Sequence, residues 1–143
     1  MMLRVTFRDV AKLNAVGIVV TDLERAVKFY RLLGVPIADG AVSSEHGHVD
    51  ATLDGGMRVM MDTEDEMRKF DPSWKRAGGS PAANLAFDCE SPKAVDELYA
   101  KALSMGGRGH KEPWDAFWGQ RYAQLRDPDG NAVDLYASLP NQS

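Results

Sequence analysis

One carboxylate near the end of the chain stands where a strand interior is expected. The segment WGQRYAQLRDPDGNAVDLYA, residues 118–137, reads as strand, turn, strand, and Asp134 lies inside the second apolar run. A buried carboxylate needs donors or a counter-charge. Two roles fit Asp134. It is an acceptor for a polar or cationic ligand, or it is bonded internally to Asn84, Tyr136 or Arg58. Just upstream, KEPWDAFWG gathers Trp114, Phe117 and Trp118 in what reads as a loop. Such a group is a stacking platform for a planar ligand, a plug at an interface, or a loop tucked onto the core. Trp74, in a Gly- and Pro-rich stretch, reads as a loop anchor. EHGHVD places His46, His48 and Asp50 at alternating positions, a metal-binding pattern in another setting. Here it reads as solvent-exposed histidines on an edge strand. His110 is a lone loop histidine, and no Ser-His-Asp or Cys-His pairing is visible.

These residues need a sheet to position them. Residues 13–20, LNAVGIVV, form a β-branched run that reads as a strand buried on both faces. The stretch TDLERAVKFYRLLG follows, with Thr21 and Glu24 at capping-box spacing, one apolar face at helical spacing, and Gly34 as the stop. Strands are expected at about 35–42, 46–53 and 57–62, with LDGG as a hairpin turn. Residues 63–81 are charged and then rich in glycine and proline, which reads as a linker with a short helical piece.

The opening order then returns. Residues 83–89, ANLAFDC, read as a strand. Ser91 and Pro92 open a helix that Gly106-Gly107 ends. Strands follow at about 108–111, 119–126 and 131–137, the last two joined by DPDG in a type I turn. Each half therefore reads strand–helix–strand–strand–strand. Ala26-Val27 answers Ala94-Val95, and residues 56–61, GMRVMM, answer GNAVDL at 130–135. An internal repeat of this kind implies two sheets, each with a helix on one face and the other face left to enclose something or to meet a second sheet.

The bulk numbers agree with a folded, water-facing chain. The 143 residues suit a single domain over 1–143, with module one at 13–62, the linker at 63–81 and module two at 82–137. Apolar residues make up 44%, enough for a core, and the net charge of −4 is spread without a basic tract, which argues against nucleic acid. Cys89 is the only cysteine, so no internal disulfide forms, in keeping with a reducing cytoplasm. The N-terminal MMLRVTFRDVAKL lacks an apolar signal-peptide core, and no run is long enough to span a membrane.

Three motifs together, VGIVVTDLERAVKFYRLLGV, NLAFDC with its helix, and WGQRYAQLRDPDGNAVDLYA, resemble the vicinal oxygen chelate superfamily over residues 13–137. That group includes glyoxalase I, extradiol dioxygenases, and fosfomycin- and bleomycin-resistance proteins. The resemblance implies an α+β fold of two paired βαβββ modules forming an incompletely closed β-cup with the helices outside. Metal enzymes of the group place ligands at four points, carried here onto Ala15, Met60, Asn84 and Asp134. Only Asp134 suits a divalent metal, so no metal and no cofactor are expected. The resemblance is nearest to the metal-free bleomycin-resistance branch, in which a Trp-Gly pair opens the penultimate strand and dimers hold a ligand in a groove.

Strand alternation then puts Ala15, Gly17, Val19, Arg58, Met60, Asn84, Ala86, Asp88, Ala132, Asp134 and Tyr136 on the cup face. The opposite face carries Val16, Ile18, Val20, Leu85, Phe87, Val133 and Leu135. The expected ligand-binding set is Trp118, Asp134, Asn84, Met60, Trp114, Phe117, Arg58 and Tyr136, with a planar or cationic small molecule as partner, a homodimer as the assembly and no catalytic residue. Two alternatives stand beside it. One is an enzyme of the superfamily with a metal site rebuilt from Asp134, His46 or His48. The other is a non-enzymatic sensor or accessory subunit.

Overall fold

The computed structural model describes residues 11–140, so the signal-peptide reading falls mostly outside the described residues. Two helices and two open sheets carry the architecture. The first sheet has strand order β1-β3-β2, from β1 (Ala15–Val20), β2 (His48–Thr52) and β3 (Arg58–Thr63). The second has order β4-β7-β6-β5, from β4 (Asn84–Asp88), β5 (Arg108–Ala116), β6 (Gln120–Arg126) and β7 (Ala132–Ser138). In each sheet the strand that precedes the helix runs parallel to a later strand, β1 with β3 and β4 with β7. The mixed α+β fold with no closed barrel is the expected one. Among the described residues, no helix is long and apolar enough to cross a membrane.

Helix α1 (Leu23–Leu32) and helix α3 (Pro92–Ser104) cover one face of these sheets, and a short α2 (Glu64–Phe70) follows β3. Ile18, Val20, Val59 and Met61 of the first sheet and Ala123, Leu125, Val133 and Leu135 of the second are buried with Phe29, Tyr30 and Val95 of the helices. The alternation foreseen in the sequence holds: Leu85 and Phe87 pack on this core, while Asn84, Ala86 and Asp88 are exposed. Removing this much apolar surface from water is the main driving force for the arrangement.

The helix starts differ from expectation in one case. Ser91 caps α3 as expected, its side chain accepting from the Ala94 N–H. The cap of α1 is Asp22, which accepts from the Arg25 N–H, and not Thr21. Thr21 is engaged elsewhere: its hydroxyl donates to Asp129 Oδ1 at 2.5 Å and its N–H to the same oxygen at 2.9 Å. Gly34 stands just past the helix with φ +94°, a backbone region where a side chain is strained.

The strand expected at 35–42 does not form. Val35 and Ile37 are buried and their neighbours exposed, so the alternation is real. The backbone groups go elsewhere: Arg31 donates to the carbonyls of Ile37 at 3.0 Å and Ala38 at 2.6 Å, and Pro36 has no N–H to offer a ladder. The first half is therefore strand–helix–strand–strand. In the second half β5 is longer than the expected 108–111 and absorbs most of the supposed aromatic loop. Its pairing with β6 slips between Gly109 and Lys111 and again between Lys111 and Trp114, which accommodates Pro113 in the strand.

The DPDG turn joins the halves. Asp127 is fully buried, and four donors meet its carboxylate. Oδ1 accepts the N–H groups of Asp129 at 2.8 Å and Asn131 at 2.9 Å, and Oδ2 accepts the Asn131 side chain at 2.8 Å and the Tyr30 hydroxyl at 2.7 Å. Tyr30 lies on α1, so one buried carboxylate shapes the β6–β7 turn and ties it to the first half. Burial, then Asp127, raises the Tyr30 pKa well above the tyrosine range. Tyr30→Phe should cost about 1–3 kcal/mol in denaturant unfolding, the worth of a buried hydrogen bond to a charged group. Because the folded pKa is raised, this stability is complete below about pH 10 and is lost as pH rises and the unfolded chain's tyrosine ionises. Above about pH 10, wild-type stability should therefore fall more steeply than that of Tyr30→Phe.

Candidate functional site

The helix-free face of the second sheet is an aromatic wall that leads to one carboxylate. β7 lies between β4 and β6, and Asp134 sits at its centre, registered against Ala86 on one side and Gln124 on the other. Asp134 is only 4% exposed, so its partners decide whether it is tolerated. Two neutral donors reach its Oδ2: Asn84 Nδ2 at 2.5 Å from β4 and the Tyr122 hydroxyl at 2.5 Å from β6. Asn84 was an expected partner. Arg58 and Tyr136 do not bond it. Its Oδ1 accepts no hydrogen bond among the described residues, and it is not sealed from solvent. One oxygen is thus used to hold the carboxylate and the other is left to receive a donor.

The wall extends from Asp134 to the tip of the β5–β6 hairpin. Tyr136 stacks on Tyr122, ring centres 6.2 Å apart and planes 20° apart. Tyr122 then meets Trp114 at 5.5 Å and Trp118 at 5.4 Å, both near edge-to-face. Trp118 also meets Trp114 at 6.0 Å and Phe117 at 5.0 Å. These separations suit favourable quadrupole contacts. Lys111 Nζ lies 3.9 Å above the Trp114 ring, so one face of that ring already carries a cation.

Trp118 does not open β6 as expected. It sits in a four-residue turn closed by the Gly119 N–H donating to Ala116 O at 3.1 Å, with Gly119 at φ +90°. Its indole N–H donates to Gln120 Oε1 at 2.7 Å, and it remains 48% exposed. Phe117 at the same tip is 97% exposed.

The expected site residues therefore divide. Trp118, Trp114, Phe117, Tyr136, Asp134 and Asn84 share the second sheet. Met60 and Arg58 lie on β3 of the first, where Arg58 donates to Asp50 at 2.7 Å and to Asn14 at 3.3 Å. Tyr122 was missed, yet a signal existed. Counting by twos along β6 puts Tyr122 on the face of Gln120 and Gln124, and β6 is antiparallel to β7, so Tyr122 falls opposite Tyr136. Cys89 is half-buried with its thiol pKa raised by burial, which makes it unreactive as a nucleophile. Trp74 anchors the loop after α2 as expected, its ring held between Arg68 and Arg76.

The wall is not itself a closed cleft. An open cleft of about 530 Å³ lies instead between the free edges of β1 and β4, lined by Val16–Val19, Trp74–Ala77 and Asp129–Ala132 among others. That cleft follows from the gap between two sheets and includes neither Asp134 nor Trp118. The chemistry is on the wall, so we place the candidate site there.

Metal chemistry does not fit these residues. Ala15 and Met60 are in the first sheet, Asn84 and Asp134 in the second, and the Asn84 amide spends a donor on the one good ligand. Among the described residues, no three His, Cys, Asp or Glu side chains are grouped to hold a metal ion.

The family model of the Glyoxalase/Bleomycin resistance protein/Dioxygenase superfamily matches residues 12–135. An uncharacterized Bacillus subtilis (strain 168) protein, YraH, is 27% identical over 134 residues, covering 90% of this chain and 99% of that one. A crystal structure of a glyoxalase/bleomycin resistance protein/dioxygenase family enzyme from Burkholderia phytofirmans PsJN has a TM-score of 0.74 at 22% identity, covering 90% of this chain and 100% of its own. The fosfomycin resistance protein FosX from Listeria monocytogenes has a TM-score of 0.64 at 16% identity, covering 92% and 96%. At these identities the two structures show the fold alone.

Burial, and after it the bond to Asp134, raises the Tyr122 pKa to about 12. In Asp134→Asn the phenol should ionise below that value yet still above the ordinary ~10, because burial remains. Near-ultraviolet titration, read as the difference between each protein and its Tyr122→Phe counterpart, measures both.

Proposed function

The chain belongs to the glyoxalase/bleomycin resistance protein/dioxygenase superfamily, and on that premise we propose that it is a metal-independent binding protein for a planar, preferably cationic, small molecule. One observation carries the reading: the aromatic wall ends on Asp134, whose Oδ2 is held by two neutral donors while Oδ1 accepts no hydrogen bond among the described residues. The carboxylate's charge is offset by neither partner, so a ligand cation or N–H group would complete it. Trp118 stands half-exposed at the outer end, where a planar ligand would stack. Binding without chemistry is enough for a protein that sequesters its ligand, and the poor donor set at Ala15, Met60 and Asn84 supports that role over an enzyme's.

A single wall encloses little. The second sheet's free face carries exposed Asn84, Ala86 and Asp88 beside the exposed hairpin tip. We propose that a second copy of the chain supplies the facing wall, so that the ligand groove lies in a homodimer.

Trp118→Ala should weaken a planar cationic ligand by about ten-fold or more through lost stacking and contact area. Asp134→Asn should weaken cationic ligands and leave neutral ones nearly unchanged, since it keeps the shape and removes the charge. Fluorescence titration of bleomycin-like and other planar cationic compounds checks both, and a chelator should not change the affinities. One divalent metal bound per chain and lost in Asp134→Ala would instead support an enzyme with a rebuilt metal site. For the assembly, sedimentation at micromolar concentration should show a dimer, and monomer alone at high concentration overturns the shared groove.

A further inference from the structure

The first sheet carries a second chemical constellation that the aromatic wall does not touch. On β2 and β3 the register sets His48 opposite Asp62, Asp50 opposite Met60 and Thr52 opposite Arg58. His48 Nδ1 lies 2.7 Å from Asp62 Oδ1, and Asp62 is nearly buried, its side chain 13% exposed. The other ring nitrogen, Nε2, is 3.7 Å from Asp50 Oδ2, beyond hydrogen-bonding distance. That same oxygen accepts from Arg58 Nη1 at 2.7 Å. Arg58 Nη2 has no partner among the described residues. His48 is thus not the merely solvent-exposed histidine expected from EHGHVD.

The arrangement orients an imidazole. A carboxylate at Nδ1 accepts a hydrogen bond from the Nδ1–H, which fixes the proton there and leaves the Nε2 lone pair outward, the role an acid plays behind a histidine base. It does not hold a metal, because Asp62 and Asp50 lie toward opposite nitrogens of the ring and do not converge on one point. The charged groups around the ring are Asp62 and Asp50, with Arg58 behind Asp50. Glu66 stands near the start of the strand, accepting from the Gly47 N–H at 3.3 Å. Among the described residues, no serine or cysteine hydrogen-bonds Nε2, so the base has no nucleophile of its own there to activate.

We propose that His48, positioned by Asp62, is a general base for a neutral weak acid whose conjugate base is delocalised, such as a phenol, an enol or an imide. The O–H or N–H bond of the bound molecule breaks. Its proton passes to His48 Nε2, and the electron pair stays on the molecule as the delocalised anion. No oxidant, reductant or second substrate is needed. The site stands or falls separately from Trp118 and Asp134.

The test uses 4-nitrophenol, whose neutral and ionised forms absorb differently, at a fixed pH where the free probe is mostly neutral. On binding to wild type, the ionised-to-neutral ratio should rise at least about ten-fold, the worth of one charge-assisted hydrogen bond. His48→Gln should lose the rise and His46→Gln should keep it. Asp62→Asn should lose part of it, and ring-nitrogen NMR should show the His48 Nδ1 proton no longer fixed. No rise with wild type, a rise that survives His48→Gln, or one abolished by His46→Gln overturns the proposal.

Discussion

The structure depends on Asp127. A fully buried carboxylate is costly unless it is satisfied, and this one accepts from two backbone amides, an asparagine side chain and a tyrosine hydroxyl. The first three shape the turn between β6 and β7. The fourth comes from α1 in the other half of the chain. The same turn offers Asp129, which takes Thr21 and Arg25 from the start of α1. Asp127 and Asp129, two residues apart, therefore act together as a clasp between the turn and the start and body of α1. Because β7 begins just past the clasp, the position of Asp134 is set from the same place.

Alternation does the rest. Along β7 one set of side chains, Val133, Leu135 and Ala137, goes into the core, and the other, Asp134 and Tyr136, to the free face. Apolar packing on one side fixes the register, since a slip of one residue would bury the carboxylate under α3. The wall is therefore a by-product of the core. Asn84 and Tyr122 reach Asp134 because the strands on either side are held in register with it.

Much of this was legible in the sequence. The repeat, the helix faces, the LDGG and DPDG turns and the two faces of β4 and β7 were all readable from period and turn chemistry. Failures arose where a side chain far along the chain claimed a backbone or hydroxyl group. Thr21 has the right spacing for a cap, but Asp129, more than a hundred residues later, takes its hydroxyl. Residues 35–42 have strand alternation, but Arg31 takes their carbonyls. Pro113 and its neighbours read as a loop because bulged strands break the period. The candidate site was half legible. Asp134 and the tryptophans were singled out from residue type and Asn84 from the family resemblance, while Tyr122 and the His48–Asp62 pair required knowing which strands lie side by side.

The hairpin tip and the strand it serves answer to different pressures. Phe117 and Trp118 project from a four-residue turn and give little to the core, whereas Asp134 lies at the middle of a strand flanked on both sides. Substitutions at the tip cost the fold almost nothing, and those beside Asp134 disturb packing and register together. Over descent, such a molecule would rewrite its rim and keep an old floor beneath it. Relatives that share the scaffold would then diverge first in the lengths and aromatic content of this one hairpin, and last in the pattern of β7.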